Sequence, residues 1–410
     1  MTPTHHHAEP PAVHSVISVH PRTRWTGEGA TGRSFCGTSG DAEHFLCVEG
    51  PPKLSLRDQI GVLQDRYAAA CRALGLAPET AVFRRIFLSD TMNQAALVRE
   101  SGLARDFPDS PVAVSIVQQP VLSGAKIALL AYHIESGDPL VKRRLSARQV
   151  LVEKRGRRHL WSTRLCSGAS ASAGHAAAQT REIFDDLIRT LETHGGNLRD
   201  HCVRTWIYLK DVDVFYQEMV DSRRELFARH GLTGDTHFIA STGIEGACAH
   251  RHDLVAMDAY SVLDLDPHQV SYLNDFDRLC ATKDYNVTFE RGTRIGYADR
   301  AHCFISGTAS IDRYGKVMHP GDVVRQLERS LDNVDALLHS GGAQLDDMMH
   351  LLVYLRDPTD FGEVEGFLRE RVAATTPITI VQGSVCRPEW LVEVEGVAIA
   401  PDAAAALPAF

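Results

Sequence analysis

Three times along this chain a glutamine opens a helix, a glycine closes it, and an apolar strand ending in aspartate follows. Gln59 starts the first helix, which stops at Leu74-Gly75-Leu76 before the strand Val82 to Asp90. Gln179 starts the second, stopping at Gly195-Gly196-Asn197-Leu198 before Val203 to Asp211, and Gln326 the third, stopping at Gly341-Gly342-Ala343 before Leu351 to Asp357. Glycine takes the left-handed conformation that ends a helix without steric cost, so each stop has a mechanism. The glutamine-to-aspartate interval is about thirty residues in every copy, and the copies recur at roughly 120 to 145 residues, a domain-sized period rather than that of a solenoid. Three units of one design are therefore expected.

Each copy continues alike. A second helix follows the aspartate, clearest from Val214 to His230, where Phe215, Met219, Val220, Leu226 and Phe227 form a stripe that reads as core packing, with Gly231 as the stop. Closing strands are expected in pairs, at Val112 to Val117 with Lys126 to Ile134, Phe238 to Gly243 with Leu254 to Val262, and Ile378 to Ser384 with Leu391 to Ile399. An opening hairpin is expected at Val150 to Lys154 with His159 to Ser167, and at Asn286 to Glu290 with Ala301 to Thr308. Such a unit makes one mixed sheet with two helices on one face, an α+β design. The expected limits are a disordered leader over residues 1–13, units over 14–140, 146–266 and 280–400, and a tail over 401–410.

Charge and motif content narrow the function. The net charge of −9 opposes a nucleic-acid groove, which needs concentrated basic surface. No stretch approaches a membrane span and the N-terminus has no apolar core resembling a signal peptide, so a soluble, cytoplasmic protein is expected, with a small molecule as its partner and a homodimer as an assembly to test for. Nine cysteines without a CxxC pair oppose a disulfide framework or zinc knuckle and read mostly as buried small hydrophobes. His250 and His252 flank Arg251 at a spacing that suits a metal on a strand, but nothing nearby completes a set, and no metal is expected. Gly292, Gly296 and Gly307 are isolated, with no GxGxxG or GxxxxGK, and Ser241 and His237 lack the third member of a triad. No cofactor is expected; the chemistry available is proton transfer.

That chemistry concentrates between Val381 and Val397. From Leu391 on, apolar and acidic residues alternate at period two, which puts Leu391, Glu393 and Glu395 on one face and Val392 and Val394 on the other. A thiol, Cys386, and a guanidinium, Arg387, sit on the preceding bend, close enough in sequence to fold back onto the same place. A carboxyl among apolar groups has a raised pKa and can donate a proton near neutrality, and an arginine can hold a substrate carboxylate by two parallel hydrogen bonds. The bland alternative is an amphipathic edge strand with a solvated acidic face. Aligning the closing strands weighs against it: Glu393 falls opposite Ala256 and Ala128, and Glu395 opposite Asp258 and Leu130, so the acidic pair is intact only in the third copy.

The element order, with Phe304-Ile305-Ser306-Gly307-Thr308-Ala309-Ser310-Ile311, His319-Pro320-Gly321-Asp322 and Asp332-Asn333-Val334, resembles the RidA (YjgF) superfamily over nearly the whole chain, most specifically in the third copy. The resemblance implies three tandem RidA-like units forming a chorismate-mutase-like pseudo-trimer barrel on one chain, sheets inside and six helices outside, with sites in the clefts between units. The simplest members hydrolyse imines and enamines of amino acids, gripping the carboxylate with an arginine just before the last strands; Ile378 and Thr379 stand there in this chain. A nearer resemblance is to the chorismatases, whose C-terminal half is similar to Phe304 to Ile311, to His319 to Asp322, and to Val385-Cys386-Arg387 followed by Leu391 to Glu395. It implies Glu393 as general acid, Arg387 as a carboxylate ligand, and Cys386 where the hydroxybenzoate-forming branch has a cysteine. The middle copy departs from that pattern, reading Trp206-Ile207-Tyr208-Leu209 in place of an Asn-Tyr strand and Tyr216 to Arg224 in a different order, and this chain is expected to carry one unit more than a two-unit chorismatase plan.

A cleft shared with the middle copy draws donors from Arg204, Tyr208, Arg223 and Arg224. The expected site has Glu393 and Cys386 as catalytic residues and Arg387, Glu395, Trp390, Arg204, Tyr208 and Arg224 as substrate-binding ones. It suits elimination of water, ring closure and aromatisation of a small polyfunctional carbonyl or carboxylate, carbazole-type chemistry included, with the thiol adding to the carbon skeleton or merely shaping the pocket. Two alternatives stay open: a chorismatase releasing a hydroxybenzoate or dihydroxy acid and pyruvate, and a non-catalytic small-molecule-binding RidA-like protein or imine deaminase. A ribonuclease role is disfavoured by the acidic balance.

Overall fold

The computed structural model describes residues 22–106, 110–167, 175–247, 250–282, 287–404 and 406–410. The leader expected over 1–13 and the strand start expected at Asn286 lie outside them. The first unit comprises β1 (Arg22–Gly27), β2 (Ala30–Cys36), β3 (Ala42–Glu49), α1 (Leu56–Ala73), β4 (Ala81–Leu88), α2 (Thr91–Glu100), β5 (Ala113–Gln118) and β6 (Ile127–Glu135). The second comprises β7 (Val141–Ser146), β8 (Gln149–Lys154), β9 (Arg157–Cys166), α3 (Ala176–Thr193), the short α4 (Leu198–His201), β10 (Cys202–Leu209), α5 (Val212–Arg229), β11 (Ala240–Glu245) and β12 (Val255–Val262). The third comprises β13 (Val270–Tyr272), β14 (Gly292–Gly296), β15 (Arg300–Ala309), α6 (Val323–Ser340), β16 (Met348–Leu355), α7 (Phe361–Arg371), β17 (Ile378–Gln382) and β18 (Val392–Pro401).

Each unit is one six-stranded mixed sheet, and the three orders coincide: β1-β2-β3-β6-β4-β5, β7-β8-β9-β12-β10-β11 and β13-β14-β15-β18-β16-β17. The closing strands therefore do not pair with each other, as the sequence suggested. The helix between β16 and β17 carries the chain over to a parallel partner, and β18 then enters antiparallel between β15 and β16. In the third unit the opening hairpin is also displaced, because β14 starts at Gly292. The residues before it cross to the second unit, where Glu290 bridges Ala240.

The recurring glutamine has a structural reason. Gln59, Gln179 and Gln326 are buried on their helices, and each side-chain oxygen accepts the backbone N–H just before the closing strand: Lys126 at 2.8 Å, Leu254 at 2.7 Å and Leu391 at 2.9 Å. One amide thus locks helix to sheet in all three units and satisfies a backbone group that burial would otherwise orphan. The recurring aspartates Asp90 and Asp211 are N-caps of α2 and α5, and Asp357 caps the turn that leads into α7.

Strand alternation divides the side chains between two destinations. In the second unit Ile207, Leu209, Val255 and Met257 pack with α3 and α5, whereas Trp161, Trp206, Tyr208 and Tyr260 join Phe83, Phe87, Tyr132, Phe304 and Tyr354 in one interior shared by all three units. The sheets remain separate ladders joined by isolated bridges, Gln118 to Ala247, Val121 to Val381 and Ile244 to Val385. The expected tail is not loose: Phe410 is buried, its ring 4.9 Å from both the Arg300 guanidinium and the His302 ring.

Candidate active site

β18 is a central strand of its sheet, not an edge. Glu393 lies opposite Ala309 on β15 and Tyr354 on β16, and Glu395 opposite Leu352. They are 6% and 1% exposed, which removes the solvated-edge alternative. β15 slips register between Ile305 and Thr308, and Gly307 in that irregularity lets the acid lie against the backbone. A Cβ there would come within 2.1 Å of Glu393 Oε1.

The two carboxyls share a strand face but not an environment. Glu395 accepts hydrogen bonds from Arg204 Nη2 at 2.6 Å, Trp206 Nε1 at 2.9 Å, Tyr354 Oη at 3.0 Å and the Thr242 hydroxyl, with Arg85 Nη1 at 3.8 Å. All three units contribute to this cluster. Glu393 instead faces a small cavity between the second and third units, lined by Tyr216, Arg223, Thr242, Gly243, Val287, Phe289, Arg291, Ile311, Cys386, Arg387 and Trp390. Among the described residues no hydrogen bond reaches it. Burial, and then the neighbouring Glu395 charge, push its pKa up to about 8, against the pull of Arg204 and Arg291. At neutral pH it is a carboxylic acid, facing a cavity that also holds three guanidiniums.

Cys386 bridges the packing of the second and third units. Burial and the nearby Glu393 carboxyl push its pKa up to about 12, so at neutral pH it is a thiol and not a thiolate. Burial likewise holds Tyr216 well above the ordinary phenol value. Arg387 lies over the Trp390 ring, Cζ 5.1 Å from its centroid, at the cavity rim. Arg223 is held on the wall by Nε donating to Thr288 Oγ1 at 2.9 Å.

The structure therefore gathers Glu393, Cys386, Arg387 and Trp390 and separates the other expected ligands from them. Glu395 and Arg204, both 1% exposed, spend their hydrogen bonds on each other, Thr242, Trp206, Tyr354 and the backbone where the sheets meet. Tyr208 donates to Asp258 Oδ2 at 3.0 Å in the same interior. Arg224 points outward and pairs with Asp221 at 2.7 Å. Its neighbour Arg223 enters the cavity, because adjacent helix residues point about 100° apart and only Arg223 shares a face with Met219, Leu226 and Phe227. Tyr216, one heptad before Arg223, could have been found by the same spacing. Arg291, reached through the crossing of the segment before β14, had no local signal. His250, assigned no partners from sequence, lies beside Cys166 and Asp253.

A family model described as endoribonuclease L-PSP matches residues 295–400. The chain is 33% identical over 243 residues to a chorismatase of Streptomyces hygroscopicus, covering 55% of this chain and 69% of that one. It is 26% identical over 257 residues to a 3-hydroxybenzoate synthase of the same organism, covering 57% and 72% respectively. A crystal structure of a chorismatase superposes with a TM-score of 0.59 at 18% identity, over 78% of this chain and 93% of that one. That span is more than any two of the three sheets supply, which corrects the expectation that one unit is foreign to that fold.

Proposed function

The chain belongs to the chorismatase family, and from that premise we propose that it is an acid–base enzyme acting on chorismate, or on a ring carboxylate like it, in the cleft between the second and third units. One observation carries the reading: a carboxylic acid kept protonated to about pH 8 faces a cavity holding Arg223, Arg291 and Arg387. Chorismate is a cyclohexadiene with a ring carboxylate, a hydroxyl and an enolpyruvyl ether bearing a second carboxylate. Three guanidiniums and no ionised acid suit such a dianion.

In this reading Glu393 donates its proton to the methylene carbon of the enol ether, water adds to the resulting oxocarbenium, and the hemiketal collapses to pyruvate and a ring alcohol. Loss of a ring hydroxyl as water, with a ring proton, then gives a hydroxybenzoate, and the water consumed in the first stage is returned in the second. In this reading the Cys386 thiol shapes the wall beside the acid, its proton held by burial and the nearby Glu393 carboxyl. Substrate bound against the Arg387–Trp390 rim should be observable as a ligand-dependent change in tryptophan fluorescence that Trp390→Phe removes.

A second reading uses the same acid for dehydrative ring closure and aromatisation of a polyfunctional carboxylate, carbazole-type chemistry included. The apolar lining of Val287, Phe289, Ile311 and Trp390 favours it, because apolar surface suits a carbon skeleton with few polar groups. Incubation with chorismate separates the two. Pyruvate and a hydroxybenzoate, formed by the native protein and not by Glu393→Gln, support the first; absence of pyruvate with native protein that still binds aromatic carboxylates overturns it in favour of the second.

A further inference from the structure

The connection between β11 and β12 is the counterpart, one unit earlier, of the bend that carries Cys386 and Arg387. Cys166 ends β9 opposite Ala256 just as Ala309 ends β15 opposite Glu393. The second unit thus has Ala256 where the third has Glu393, and a thiol, Cys166, where the third has Ala309. Cys166 Sγ lies 3.6 Å from His250 Nδ1, which lies 3.1 Å from Asp253 Oδ2, and the three donor atoms are all within 4.8 Å of one another. Asp253 is 5% exposed, and its carboxylate turns to the Cys166 thiol and the His250 imidazole. Three groups that each ligate transition metals thus converge on one point at the end of β9.

We propose that Cys166, His250 and Asp253 form a mononuclear site for a late divalent transition ion, zinc by preference, with a fourth position open to water. Tetrahedral zinc with bonds of about 2.3 Å to sulfur and about 2.0 Å to nitrogen and oxygen puts sulfur and nitrogen roughly 3.5 Å apart, and nitrogen and oxygen roughly 3.3 Å apart. The observed separations are close to both. A thiolate, an imidazole and a carboxylate select zinc or its neighbours over magnesium or calcium, which take oxygen ligands. The thiolate and carboxylate together neutralise the ion, and the Arg148 guanidinium, whose Nη1 donates to the Cys166 carbonyl oxygen at 2.8 Å, and nearby Arg164 are the opposing charges. Uptake displaces the thiol proton, so affinity rises with pH. His250 also lines a separate cavity with Lys210, Glu245 and Arg251, at the meeting of all three units.

The test uses the full-length protein with zinc and with cobalt(II) as the spectroscopic probe. Expected are one tightly held zinc per chain after exhaustive dialysis, a rise in melting temperature on zinc addition, and a near-ultraviolet thiolate-to-cobalt charge-transfer band. Cys166→Ser loses the band and His250→Ala, an exposed substitution that leaves the fold intact, loses the retained zinc. The His5-His6-His7 run can also take up zinc, but it gives no thiolate band. Cobalt bound without that band, or zinc retention equal in the native protein and His250→Ala, overturns the assignment.

Discussion

Glu393 and Glu395 stand two residues apart on one strand and differ in what surrounds them. Glu395 is enclosed by donors, and its charge helps keep the proton on Glu393. If Glu393 is the acid, kcat/KM with chorismate is level below about pH 8 and falls above it, and Glu393→Gln lowers turnover by roughly a hundred- to ten-thousand-fold. The same shift has a stability consequence. Between the ordinary carboxyl range and about 8 the folded protein holds a proton that the unfolded chain releases, so stability falls as pH rises across that window. Glu393→Gln removes this slope, and urea denaturation at pH 5 and pH 8 checks it: the variant gains on the native protein at the higher pH. Cys386, with its proton held to about 12, resists iodoacetamide at pH 7.5 in the folded protein; rapid labelling there would mean a thiolate and revive a covalent role. That Glu393 and Glu395 share a face was legible because alternation places side chains without tertiary knowledge, and Cys386 lay close enough in sequence to fold back beside them; the cleft between units was expected only from the family resemblance. The role of Glu395 was not legible, since its partners come from strands of other units.

At the scale of elements, helix phase decides which arginine matters. Arg223→Met raises KM for an anionic substrate about tenfold or more, the loss expected for one charged hydrogen bond, whereas Arg224→Met leaves KM unchanged within error. Steady-state kinetics on the two variants makes the comparison, and equal effects would place the α5 face wrongly. Helices and strands were readable from the repeated glutamine and aspartate, because each makes a local bond that recurs in every copy. Strand partnership was less readable: closing strands adjacent in sequence are separated in the sheet by the strand before the second helix. The crossing of Val287 to Glu290 onto β11 was hidden as well, since that pairing joins two units.

At the scale of the whole molecule, the interior is held by charges that belong to different units. Arg85 of the first, Arg204 and Asp258 of the second and Glu395 of the third close one network. Asp41 and Glu43 of the first, Lys154 of the second and Arg300 of the third close another. Removing one member leaves its partners buried and uncompensated, so Glu395→Gln costs about 3 to 5 kcal/mol in chemical denaturation, well beyond a surface charge. A loss below about 1 kcal/mol would mean that water reaches the cluster.

Fusing the three sheets into one polypeptide has a further effect, visible in the cleft between the second and third units. Three identical subunits must present the same residues at every junction, because symmetry copies any change to all of them. A single chain is free of that rule. One junction can keep an acid and three arginines while another collects sulfur, imidazole and carboxylate, and a mutation in one leaves the others as they were. Such a protein should bind one substrate molecule per polypeptide with a hyperbolic isotherm, and its remaining junctions are open to drift toward unrelated tasks.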